Sequence, residues 1–179
     1  MSQLFHRSSR TRMQTGTVIK WLLVAGICGF MIQMFLTPFN RFPDPVLKVF
    51  REAEKVEVLT LDPRGESSDD KPANASDPSR FHRFSIVDRT VVSSAADREK
   101  LATMLNEATW GAWKVAGCFY PRHAFRVHHA SGVWDILLCF QCGQARIHRP
   151  DGVLEGTSIG DRPDAMNACF RHLGLKLAP

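Results

Sequence analysis

The chain has 179 residues, 44% of them hydrophobic, with 23 Lys and Arg against 18 Asp and Glu and a formal net charge of +5. Arg7, Arg10, Arg12, Lys20 and Arg41 precede Phe42 with no acidic residue among them, so the whole excess sits in the N-terminal stretch and the remainder is near neutral. That distribution leaves the main domain without the charge footprint of a nucleic-acid binder, and no nucleic-acid partner is expected.

Residues 1–20 read as a basic cytoplasmic tail. Trp21 to Leu36 carries no charge, and its extension to Phe39 gives roughly 20 residues, enough to cross a ~30 Å hydrocarbon core. A transmembrane helix over 21–39 is expected, ended by Pro38 and Pro43, with the lipid bilayer as a partner. The mixed charges beyond it, from Arg41 to Glu54, place the N-terminus inside and the C-terminal domain outside a cytoplasmic (inner) membrane, single-pass. A cleaved secretory signal shares the basic start and apolar run, but no A-x-A-like site follows Leu36.

The expected domain, 44–179, is long enough to build its own core. Asp44 to Glu54 reads as a short helix near the membrane, with Pro45 in its first turn and Val46, Val49 and Phe50 on one stripe. Lys55 to Leu61 alternates as a strand, and Asp62-Pro63-Arg64-Gly65 ends it. The stretch 64–80 has no apolar period and reads as a flexible loop. Phe81 to Val92 is a second β-rich run. Ser94 and Asp97 then form the start signal of a helix whose Leu101, Met104, Leu105 and Ala108 face the core.

Ala124 to His129 and Val133 to Phe140 flank Ala130-Ser131-Gly132, a hairpin signal. In register, Phe125 and Val127 share a face with Trp134, Ile136 and Leu138, and Arg126, His128 and Asp135 occupy the other. Ala145 to His148 is a further short strand. A last helix begins near Pro163 with Met166, Cys169, Phe170 and Leu173 inward. The fold class expected is α+β: an N-terminal transmembrane helix, then an antiparallel sheet of about five strands with helices on one face.

Cys28 falls in the apolar run and Cys169 on an inward stripe, which leaves Cys118, Cys139 and Cys142. The hairpin brings Gly117 to His123 beside Cys139 to Gly143, so Cys118, His123, Cys139 and Cys142 are expected in one neighbourhood. That is the inventory of a Cys3His zinc site. Cys139 and Cys142, three apart on a strand, reach one point only if the chain turns at Gln141 to Gly143. Outside the cytoplasm a disulfide among the three cysteines serves equally, and reduced, buried, inert thiols are the plain alternative. Redox chemistry at the Cys-x-x-Cys is set aside, because the pair ends a strand instead of opening a helix.

Arg122, Arg126 and His128 are candidate ligands for a small anion, through charge-assisted hydrogen bonds. The competing explanation is a solvated sheet face balanced by Asp135 and Asp151.

The segments Cys118-Phe-Tyr-Pro-Arg-His-Ala124 and Cys139-Phe-Gln-Cys142, with the tail Gly174 to Pro179, resemble those of a family of bacterial membrane-anchored or exported proteins. The resemblance runs from about Val56 to the C-terminus. It implies a bacterial envelope protein, marks Cys118, Pro121, Arg122, His123, Cys139 and Cys142 as motif positions, and supplies no substrate. The chain departs from the family's acidic second segment at Gln141, so no carboxylate role is implied there.

The function expected is a single-pass membrane-anchored protein holding a small extracytoplasmic binding or structural domain, stabilised by the Cys/His cluster through zinc or a disulfide, with an unidentified protein or small anion as its ligand. The alternative is a thiol- or metal-dependent envelope enzyme using Cys142 or a metal-bound water. No catalytic residue is named, since neither an orienting third group nor an oxyanion signature accompanies Cys118 and His123.

Overall fold

A computed structural model describes residues 42–65, 77–109 and 116–178. The expected cytoplasmic tail and the span over 21–39 lie outside the described residues, as do residues 66–76 of the expected loop.

Helix α1 (Asp44–Glu52) starts with Pro in its first turn, carries Asp44 at its N-terminal end and Arg51 at its C-terminal end, and buries Val46, Leu47, Val49 and Phe50. Helix α2 (Ala95–Glu107) is capped by Ser94, whose side chain accepts from the Asp97 backbone N–H at 3.4 Å. It buries Leu101, Ala102 and Leu105, while Met104 and Ala108 pack against the core partly buried. Helix α3 (Asp164–His172) buries Met166, Cys169 and Phe170 and carries Arg171 and His172 in its last turn.

Among the described residues seven strands form one sheet: β1 (Lys55–Asp62), β2 (Arg80–Phe81), β3 (Phe84–Val92), β4 (His123–His129), β5 (Gly132–Cys139), β6 (Gln144–His148) and β7 (Leu154–Ser158). Their order is β2-β3-β1-β4-β5-β6-β7, with every neighbouring pair antiparallel. The β4–β5 register sets Phe125 opposite Ile136 and Arg126 opposite Asp135. A two-residue loop, Ala130-Ser131, closes that hairpin, and Gly132 takes φ +117° there with Pro150 against it, so a Cβ would lie 2.6 Å from the Pro150 ring.

The sheet curls, and both faces carry apolar clusters. The helices cover one face, where Phe50, Val58, Leu105, Phe125, Ile136 and Phe170 share a core. On the opposite face Leu59, Leu61, Phe81, Phe84, Phe119, Leu137, Cys139 and Cys142 form a second, smaller cluster. A register shift between Thr60 and Leu61 falls where β1 enters that cluster, and such an irregularity increases local bend and twist.

This architecture corrects the expected fold of a transmembrane helix followed by about five strands. The sheet has seven strands, and no helix among the described residues is long and apolar enough to cross a membrane. The added strands are the two edges. β7 escapes the pattern because its burial does not alternate cleanly and Leu154 is exposed. β2 escapes because the single β-rich run from Phe81 to Val92 hides a turn at His82-Arg83, where His82 adopts φ +53°.

Candidate functional site

The β5–β6 connection assembles the sulfurs. Cys139 ends β5, and the next four residues turn back with Gly143 at φ +67°. The turn brings Cys142 onto the face of Cys139, the two are joined in a disulfide, and both side chains are buried. The chain before β4 lies against this turn. Its Ala116 N–H donates to the Cys142 carbonyl at 2.9 Å, and the Gln144 side-chain amide donates to the Ala116 carbonyl. These bonds hold Cys118, a free thiol of intermediate exposure, with its Sγ 3.0 Å from that of Cys142.

Cys139 Sγ accepts two backbone N–H groups, from Cys142 at 3.2 Å and Tyr120 at 3.4 Å. Such donors favour a sulfur carrying negative charge over a neutral one. Phe119 packs beside the sulfurs, with the Arg146 guanidinium 3.9 Å over its ring and Phe84 edge-on at 6.3 Å.

His123 is brought to the other side of the sheet. It pairs with Leu138, one residue short of Cys139, and neighbouring strand positions face opposite ways. Its Nε2 lies 2.7 Å from Asn167 Oδ1 on α3, and its ring packs edge-on against Phe140 and Phe170. The expected Cys3His set is therefore three sulfurs on one face and an imidazole on the other. Among the described residues, no group of three or more His, Cys, Asp or Glu is arranged to hold a metal ion.

Burial lowers the His123 pKa from 6.5 to about 4, a shift helped by Arg122 and opposed by the Asn167 hydrogen bond. The unfolded chain then binds the extra proton more readily than the folded one. Stability from this group is complete above about pH 6.5 and falls as pH drops toward 4, by about 3 kcal/mol across that window at ~1.4 kcal/mol per unit. His123→Gln is expected to flatten the slope of folding free energy against pH between 4 and 6.5, measured by urea unfolding. An unchanged slope would contradict the assignment.

Two of the three candidate anion ligands, Arg126 and His128, hold carboxylates. Arg126 donates from Nε and Nη2 to the two oxygens of Asp135, each at 2.9 Å, and lies over the Phe81 ring. His128 Nε2 is 2.6 Å from Glu57 Oε1. Arg122 sits at the approach to β4, where its carbonyl accepts from the Leu61 N–H at 3.0 Å. Arg149 contacts both Asp151 and Glu155. On the face of Arg126 and His128 the charge is thus balanced by Asp135 and Glu57, whereas Arg149, with Asp151 and Glu155, lies over Trp134 of the helix-side core.

Sequence patterning missed His82. Its Nε2 lies 3.0 Å from Asp135 Oδ2, and its ring stacks on His148 at 4.1 Å. Burial pushes the Asp135 carboxyl up, but hydrogen bonds from Arg126 and His82 more than offset it and hold the group below its usual range. Burial, then the neighbouring His82, lowers the His148 pKa to about 4. His82 and Asp135 stand 53 positions apart, so no local spacing signals the pair.

No protein family, curated protein or solved structure matches the chain.

Proposed function

We propose that this chain is an envelope protein presenting a small binding or structural domain outside the cytoplasmic membrane, with Cys118, Cys139 and Cys142 closing one corner of it as an oxidised scaffold. The observation that carries the reading is the convergence of three sulfurs, two already joined, in the apolar cluster on the open face of the sheet. Disulfides persist in oxidising compartments, which agrees with the location drawn from the basic tail and uncharged run. A reporter active only outside the cytoplasm, fused after Pro179, is expected to be active; a fusion active only in the cytoplasm would overturn the location.

The domain works by contact in this reading. Val91 and Val133 are 54% and 44% exposed on the same face as the Arg126–Asp135 and His128–Glu57 pairs. Apolar side chains bordered by fixed charges suit a protein partner better than a free anion, because the cations there already hold carboxylates. A Cys118/His123 hydrolase finds no support, since the two residues lie on opposite faces of the sheet; the enzyme alternative rests on Cys142 or a metal-bound water.

Changing Cys118, Cys139 and Cys142 together to Ser is expected to lower stability by about 2–4 kcal/mol, through loss of the cross-link and burial of hydroxyls in an apolar cluster. Chemical unfolding of the oxidised protein and the variant measures this, and equal stability would remove the scaffold role. Native mass and free-thiol count separate the bases of that role: a retained metal with all thiols recoverable would replace the disulfide reading with a zinc-type one.

A further inference from the structure

We infer that Cys118, Cys139 and Cys142 form an internal disulfide-exchange triad, with Cys142 the shared sulfur, Cys118 the entering thiol and Cys139 the leaving group. The inference rests on the disulfide reading above and adds an activity to it.

Three observations converge. The Cys118 sulfur lies 3.0 Å from that of Cys142 and is held there by the main-chain bond from Ala116 to Cys142 and the side-chain bond from Gln144 to Ala116. Cys118 is the partly exposed member, while Cys139 and Cys142 are each 1% exposed, so solvent-borne bases reach the entering thiol first. The third observation concerns the leaving group. Redox-active Cys-x-x-Cys pairs use a helix N-terminus to stabilise a thiolate, and here the N–H groups of Tyr120 and Cys142, both aimed at Cys139 Sγ, supply equivalent donors at the end of a strand.

The step balances without an outside oxidant. Cys118 gives up its proton and the thiolate attacks Cys142 Sγ. The Cys118–Cys142 bond forms as the Cys139–Cys142 bond breaks, and the electron pair of the broken bond leaves on Cys139, which takes up a proton. One disulfide and one thiol exist before and after, and the reverse step uses the same atoms. The exchange moves the free thiol from a half-buried position to a buried one. It also converts a cross-link between residues three apart into one between residues 24 apart, tying the chain before β4 to the β5–β6 turn.

The test is disulfide mapping of the full chain after incubation at about pH 8, acid quench, thiol labelling and peptide mass analysis. Both the Cys139–Cys142 and Cys118–Cys142 peptides are expected, with the label divided between Cys118 and Cys139. With oxidised glutathione supplied as the two-electron oxidant, Cys139→Ser should form the Cys118–Cys142 bond and lose two labelled thiols relative to its reduced form, leaving Cys28 and Cys169 as the labelled pair. Wild type yielding only the Cys139–Cys142 peptide overturns the exchange and leaves the scaffold reading standing, as does Cys139→Ser with all four remaining thiols labelled. Five labelled thiols in wild type, or retained metal, removes the disulfide reading and the exchange together.

Discussion

Phe125→Ala is expected to destabilise the domain by about 3–5 kcal/mol. Phe125 is fully buried on β4 and stands between α1 and α3, two of the three helices that cover the sheet. Its ring meets Phe50 of α1 edge-on at 5.2 Å and Phe170 of α3 at 5.7 Å. Truncation removes both edge-to-face contacts and opens a cavity that a rigid β-strand cannot move to fill. Urea denaturation with an unchanged slope and a lowered midpoint is the expected signature, and a loss below about 1 kcal/mol would mean that the helices are not held to the sheet here. Phe125→Leu should recover more than half of the difference, because it keeps most of the volume.

The second large effect belongs to Asp135. Asp135→Ala is expected to cost about 2–4 kcal/mol, since it strands two Arg126 donors and the His82 ring nitrogen in a partly buried cluster. Arg126 keeps some access to water, its side chain being 38% exposed, which holds the loss below that of a fully enclosed pair. The double variant Asp135→Leu with Arg126→Leu should be markedly more stable than Asp135→Leu alone, because both charges then go together. A double-mutant cycle measures this, and additive losses would show that Arg126 and Asp135 do not depend on each other.

Much of the domain's local structure is legible in the sequence. The β4–β5 register follows from Phe125, Val127, Trp134 and Ile136, whose period of two admits one pairing once the Ala130-Ser131 turn is fixed. The start of α2 follows from Ser94, and the inward stripe of α3 from Met166, Cys169 and Phe170. Edge strands are harder, because β7 is half in solvent and β2 is only two residues long. The β-rich run from Phe81 reads as continuous because a non-glycine residue, His82, makes its turn. Of the candidate site, the meeting of Cys118 with Cys139 and Cys142 is legible through hairpin geometry. The exclusion of His123 turns on a single position of strand parity that spacing alone does not resolve.

The order β2-β3-β1-β4-β5-β6-β7 carries a consequence for how the chain folds. Strands β4 to β7 form a meander whose pairings are all between sequence neighbours, so loop closure there is fast. The interior strand β1 is not paired with its sequence neighbour β2: it lies between β3 and β4, and Lys55 must find His128. Folding is therefore expected to begin in the C-terminal half and wait for the N-terminal strand, with the barrier set by the entropy of that long closure. In a chain emerging from the ribosome, β1 is made before either of its partners, β3 and β4. It spends the interval as an exposed apolar strand, the period in which the nascent domain is most open to wrong partners.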